Sequence, residues 1–163
     1  MMLAAMEFQS AVETLKGVSQ LEIKPEVLEE TDQRQVIMRY TPLGLAVGIV
    51  PWNFPIMLAI MKIAPAVVTG NTILVKPSPF TPYCGLKLVE LAQKYFPPGV
   101  IQVLSGDDNL GPWLTSHPGP AKISFTGSSV TGKKVMESAS KTLKRVTLEL
   151  CVLFHFRTFS IYF

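Results

Sequence analysis

Residues 43–76 read LGLAVGIVPWNFPIMLAIMKIAPAVVTGNTILVK. The run 45–50 is short, apolar and rich in β-type residues, and Pro51 with Pro55 stops it. Residues 56–69 are long enough for a buried helix, Gly70-Asn71 turns the chain, and 72–76 forms a second apolar run. Strand, helix and strand within about thirty residues make the parallel βαβ crossover. The charge-free window 43–61 also has the length of a membrane span. Pro51, Pro55 and the amide of Asn53 in its middle would cost a continuous helix its backbone bonds and bury a polar group, so the crossover explains the letters better. Pro65, inside the crossover helix, predicts a kink or a split before Gly70.

The alternation continues outward. Apolar runs at 100–104, 122–126 and 146–150 are separated by helical stretches at 82–95, 108–116 and 130–143; the last sets Val135, Ala139 and Leu143 four apart on one face. The pattern predicts an α/β fold with a doubly wound, mostly parallel, Rossmann-like sheet covered by helices on both faces. Ligands then bind beyond the carboxyl ends of the strands. Upstream, Leu3, Met6, Val12 and Leu15 suggest an amphipathic helix over 1–17, and an acidic stretch followed by β-type residues at 35–40 reads as an extended arm or hairpin. Three parts result: 1–42, a partial helix and arm; 43–150, the α/β domain; and 151–163, CVLFHFRTFSIYF. That tail is aromatic, without Gly, Pro or acid, and is an aggregation hazard if exposed.

The chain has 163 residues, 48% of them hydrophobic, with 15 Lys plus Arg against 12 Asp plus Glu. This suits a single globular domain of ordinary size. The lysines are scattered and not interleaved with aromatics on one stripe, which argues against a nucleic-acid partner. Cys84 and Cys151 have no metal-ligand spacing, so no metal is expected, and the N-terminus shows no secretion signal. A reduced, cytoplasmic setting is the expectation.

The strand-to-helix turns are where chemistry belongs. At the first, Asn53 is an amide donor for an oxygen that gains charge, and Trp52 could wall a flat ligand; the alternative is a proline-rich turn with a self-satisfied Asn. Lys76, at a strand end before Pro77-Ser78-Pro79, sits where a ribose or phosphate could be gripped, or is a solvated rim lysine. Residues 125–134, FTGSSVTGKK, let backbone N–H groups approach a phosphate at a helix start. They nearly match the phosphate loop of nucleotide hydrolases but carry Lys134 where Ser or Thr should hold magnesium; the alternative is a helix N-cap. Glu149, at the edge of the last strand, suits a general base or is a surface residue.

Together PLGLAVGIVPWNFP, GNTILVKPS, PPGVIQVLSG, KISFTGSSVTGKKV and KRVTLEL, in this order over about 36–150, resemble the cofactor-binding domain of the aldehyde dehydrogenase superfamily, NAD(P)-dependent enzymes that oxidise aldehydes to acids. The resemblance implies that Asn53 stabilises an oxyanion and that Glu149 activates water. It implies a cofactor-facing set of Val50, Pro51, Trp52, Lys76, Ser78, Gly106, Phe125, Gly127 and Ser128, with Lys76 on the adenosine ribose and Gly127 and Ser128 at the pyrophosphate. Asn53, Lys76, Ser128 and Glu149 should then share one cleft. The implied cofactor is NAD or NADP and the implied partners are that dinucleotide and a small aldehyde.

Pro79 stands where many NAD-preferring members carry a glutamate, which leaves both dinucleotides open. The resemblance stops after Leu150. Cys151 is too close to Glu149 to be the family's nucleophile, and Cys84 matches no catalytic position. The expectation is therefore a fragment, from a truncated or misread gene, that binds dinucleotide weakly without turnover and self-associates through uncovered apolar surface. Two rival readings are a non-catalytic interaction module with the tail as docking segment, and a phosphate-loop hydrolase.

Overall fold

In the computed structural model, which describes residues 2–151, the stretch 43–76 forms β3 (Leu45–Ile49), α2 (Pro55–Val68) and β4 (Thr72–Lys76), after α1 (Met2–Ser19), β1 (Glu26–Glu30) and β2 (Gln35–Met38). The chain continues through α3 (Pro82–Ala92), β5 (Ile101–Val103), α4 (Leu110–Ser116), β6 (Lys122–Ser128), α5 (Ser129–Ser140) and β7 (Arg145–Cys151). The aromatic tail, apart from the backbone of Cys151, lies outside the described residues. So does Met1.

Five strands form one parallel sheet in the order β5-β4-β3-β6-β7. The first-made strand, β3, is central: the chain winds outward through β4 and β5, then returns to β3's other side with β6 and β7. Such a reversal opens a crevice at the carboxyl ends of β3 and β6. Strand alternation divides the core. Ala46, Ile73 and Val75 face one way into a cluster with Ala59 and Ile63 of α2 and Val89 of α3. Val47, Ile49, Ile123 and Phe125 face the other way against Leu114 of α4 and Val135 and Ala139 of α5. Ile73, Ile101, Ile123, Val47 and Val75 are fully buried, as strands covered on both faces require.

Helix α1 adds an outer layer by packing Ala11 onto Ile60 and Ala64 of α2. The arm is a hairpin, since β1 pairs antiparallel with β2 and, among the described residues, with no strand of the main sheet. The turn entering β4 is tied back by Asn71, whose Oδ1 accepts from the N–H groups of Leu43 at 2.6 Å and Gly44 at 3.0 Å. Gly70 before it has φ +75°, the left-handed region that glycine tolerates best.

Two expectations need correcting. Helix α2 is not split at Pro65 but runs unbroken to Val68. Proline removes one backbone bond there, close to the helix end. The last turn is tied instead by Thr69, whose hydroxyl donates to Pro65 O at 2.6 Å. Helices α3 and α5 end earlier than expected, at Ala92 and Ser140. Leu143 lies beyond the helix at φ +53° and fully exposed, not on its buried face. The charge-free window 43–61 is strand, turn and buried helix, and among the described residues no helix is long and apolar enough to cross a membrane.

Candidate dinucleotide cleft and polar network

The crevice between the tips of β3, β4 and β6 is a cleft of about 650 Å³. Eight of the nine residues expected to face a cofactor line it: Val50, Pro51, Trp52, Lys76, Ser78, Phe125, Gly127 and Ser128. Gly106 does not. It lies on the loop between β5 and α4, where an added Cβ would lie 3.0 Å from the side chain of Leu110, so its small size serves packing against the start of that helix.

Each wall follows from local sequence. Pro51 ends β3 and leaves Trp52 exposed at the rim, and Thr81 donates its hydroxyl to Trp52 O at 3.1 Å, fastening this turn to the next. Strand β4 carries Lys76 at its last position, where alternation turns it away from the Ile73 and Val75 side. Lys76 is buried, and burial pushes its ammonium below the ordinary lysine range, opposed by the charges of Asp108 and then Asp107. Among the described residues its only hydrogen bond is a long one, 3.4 Å to Pro77 O. A buried ammonium with spare donors at a cleft wall is suited to ligand oxygens.

Ser128 closes β6 and caps α5, accepting from Thr131 N at 3.2 Å and donating to Thr131 Oγ1 at 3.0 Å. The N–H groups of Ser129 and Val130 remain without intrahelical partners at the positive end of the helix. The rival phosphate-loop reading fails here, because strand passes to helix between Ser128 and Ser129 with no intervening loop to wrap a phosphate.

Glu149 does not share this cleft, and neither does Asn53. The expected gathering of four residues around one cavity is therefore corrected: Lys76 and Ser128 meet there, while Glu149 lines a separate polar hollow of about 380 Å³ under α2. Strand parity is the reason. In β7, Val146 and Leu148 pack on the α4–α5 side, so Thr147 and Glu149 face the opposite layer. Asn53 is exposed on the turn beside Trp52, with no hydrogen bond to its amide among the described residues.

Sequence reasoning missed the partner that holds Glu149. Lys62 rises from α2 with its side chain 1% exposed and spends its three donors on Ser124 Oγ at 3.2 Å, Thr126 Oγ1 at 2.7 Å and Glu149 Oε2 at 3.3 Å. Thr126 in turn donates to Glu149 Oε2 at 2.5 Å. Burial holds the Lys62 ammonium below the ordinary range, and the Glu149 carboxylate opposes that shift. Gly48 makes the route possible: a Cβ there would stand 3.1 Å from Lys62 Cδ. The signal was a lone cation within an apolar helix, which demands a buried acceptor.

Residues 2–153 match the Aldehyde dehydrogenase family. The chain belongs to the aldehyde dehydrogenase family. It is 55% identical over 146 residues to the FUS7 protein of Gibberella fujikuroi, covering 90% of this chain and 32% of that relative. Lactaldehyde dehydrogenase from Escherichia coli superposes with a TM-score of 0.86 at 33% identity, over 91% of this chain and 32% of that one. Betaine aldehyde dehydrogenase from Staphylococcus aureus, solved in complex with NAD+, gives 0.81 at 28% identity, over 91% and 30%. The chain thus spans about a third of the length of the relatives it matches.

Proposed function

We propose that this chain is the dinucleotide-binding portion of an NAD(P)-dependent aldehyde dehydrogenase, with an aldehyde as substrate and a carboxylic acid as product. The observation that carries the reading is the cleft at the switch point, which joins a buried, under-bonded Lys76 to the N-terminus of α5, where Ser128 caps Thr131 and the N–H groups of Ser129 and Val130 keep no intrahelical partner. A dinucleotide fits this donor set. Its ribose hydroxyls can accept from Lys76, its pyrophosphate suits the N–H groups of Ser129 and Val130, and Trp52 with Pro112 and Val135 offers apolar walls. When bound, the dinucleotide supplies the hydride acceptor.

The chain's own polar groups then take two further roles. The unengaged amide of Asn53 donates to an oxygen on which negative charge grows. Glu149, in the neighbouring hollow, removes a proton from water through Oε1: among the described residues only its Oε2 is occupied, by Lys62 and by Thr126, a residue that also lines the cleft and so joins the two spaces. Cys84 is exposed on α3 and does not line the cleft, so it is not assigned to attack on the aldehyde.

Calorimetric titration of the 163-residue chain tests the reading. Saturable binding of NAD or NADP is expected, weakened about tenfold by Lys76→Ala through loss of a charge-assisted hydrogen bond. Absence of saturation up to millimolar ligand, or an affinity unmoved by Lys76→Ala, overturns it.

A further inference from the structure

Among the residues that line the cleft, one is acidic: Asp108, on the loop between β5 and α4. Its neighbour Asp107 is already employed within the loop, where Oδ1 accepts from Asn109 N at 3.0 Å and Oδ2 from Asn109 Nδ2 at 3.0 Å. The Asp108 carboxylate makes no hydrogen bond or ion pair among the described residues. Yet it is close enough to Lys76 to be the largest charge opposing that lysine's shift. A cation with spare donors and a carboxylate with spare acceptors therefore face the same space without touching each other. Pro79, on the adjoining loop, contributes neither donor nor acceptor from its side chain.

The chemistry of that pair selects between two ligands. A ribose diol both donates and accepts, so it can bridge a carboxylate and an ammonium at once. A phosphate ester in place of the 2′-hydroxyl only accepts at neutral pH and brings up to two negative charges toward the carboxylate. We infer that Asp108 is the specificity-determining residue of this cleft, accepting from the adenosine ribose hydroxyl and so favouring NAD over NADP. The inference rests on the dinucleotide reading above. It names Asp108 as the discriminating acid in a site where position 79 is proline.

The test is the ratio of dissociation constants for NADP and NAD, measured calorimetrically on the full chain, with circular dichroism as the check on folding. The wild-type chain should bind NAD roughly tenfold more tightly, the size expected for one like-charge encounter at a partly exposed site. Asp108→Asn should bring the ratio close to one, mainly by strengthening NADP binding, and Asp108→Ser should do the same. Asp107→Asn, which removes the weaker of the two charges felt at Lys76, should change the ratio less than either Asp108 substitution. A wild-type preference for NADP, or a ratio that survives both Asp108 substitutions, overturns the inference while leaving the cleft's role intact. If neither dinucleotide binds, the underlying reading fails and this one with it, a result recognisable because no ratio can be formed.

Discussion

Glu149 Oε2 accepts from both Lys62 and Thr126, and the ammonium it holds is the more deeply buried partner. Burial lowers the Lys62 pKa and Glu149 is the largest influence raising it, so Glu149→Gln should drive the lysine further down. Lysine side-chain NMR across an alkaline titration measures this, and an unchanged or higher Lys62 midpoint contradicts the ion pair. The linkage follows in sign. With the folded pKa below the unfolded one, the cost of the buried charge is fully present at pH below the folded value. It is relieved as pH rises through the interval up to the ordinary lysine pKa, an interval the Gln variant widens. Locally, only the lone cation in an apolar helix was legible, not the acceptor that holds it. Strand-tip residues such as Lys76 and Ser128 could be placed because a strand end fixes its own address. Lys62 and Glu149, 87 residues apart, meet only through sheet order.

Helix α2 begins without a capping side chain of its own, since its N-cap is Phe54. The cap comes from α1: Glu7 Oε1 accepts from Ile56 N at 2.8 Å and Met57 N at 3.1 Å. A carboxylate at that end also meets the positive pole of the helix. Glu7→Ala should cost about 1–2 kcal/mol in urea unfolding, and Glu7→Gln less, because the amide oxygen can still accept. Equal losses for both would place the effect in charge alone. The elements themselves were readable because β-branched runs bounded by Gly and Pro give strands, and five of them appear where the alternation put them. Helix ends were less readable. The 130–143 pattern ran past Ser140 because Leu143 mimics the next apolar position, although it is exposed at positive φ. Pro65 does not split the helix, because its penalty depends on distance from the helix end, which composition does not reveal.

For the molecule as a whole, a ligand that binds only the folded state stabilises it by mass action. At a dinucleotide concentration near one hundred times its dissociation constant, the gain is about 2.7 kcal/mol, which for a chain of this size raises Tm by roughly 5–10 °C. Differential scanning fluorimetry checks this, and a flat response at saturation contradicts a cleft formed only on folding. The parallel sheet and a ligand cleft beyond the carboxyl ends of its strands were readable at this scale from the βα alternation, whereas the strand order was not. The assignment of Glu149 to a second hollow was not, because it turns on strand parity and on which helices cover which face. The Glu7 bond has a practical consequence for dissection of the domain. A minimal version begun at residue 43, where the α/β pattern starts, would discard the only side chain among the described residues that caps the helix following Trp52 and Asn53. A cloning boundary or proteolytic cut that removes Glu7 is thus felt about fifty positions downstream, at the start of α2.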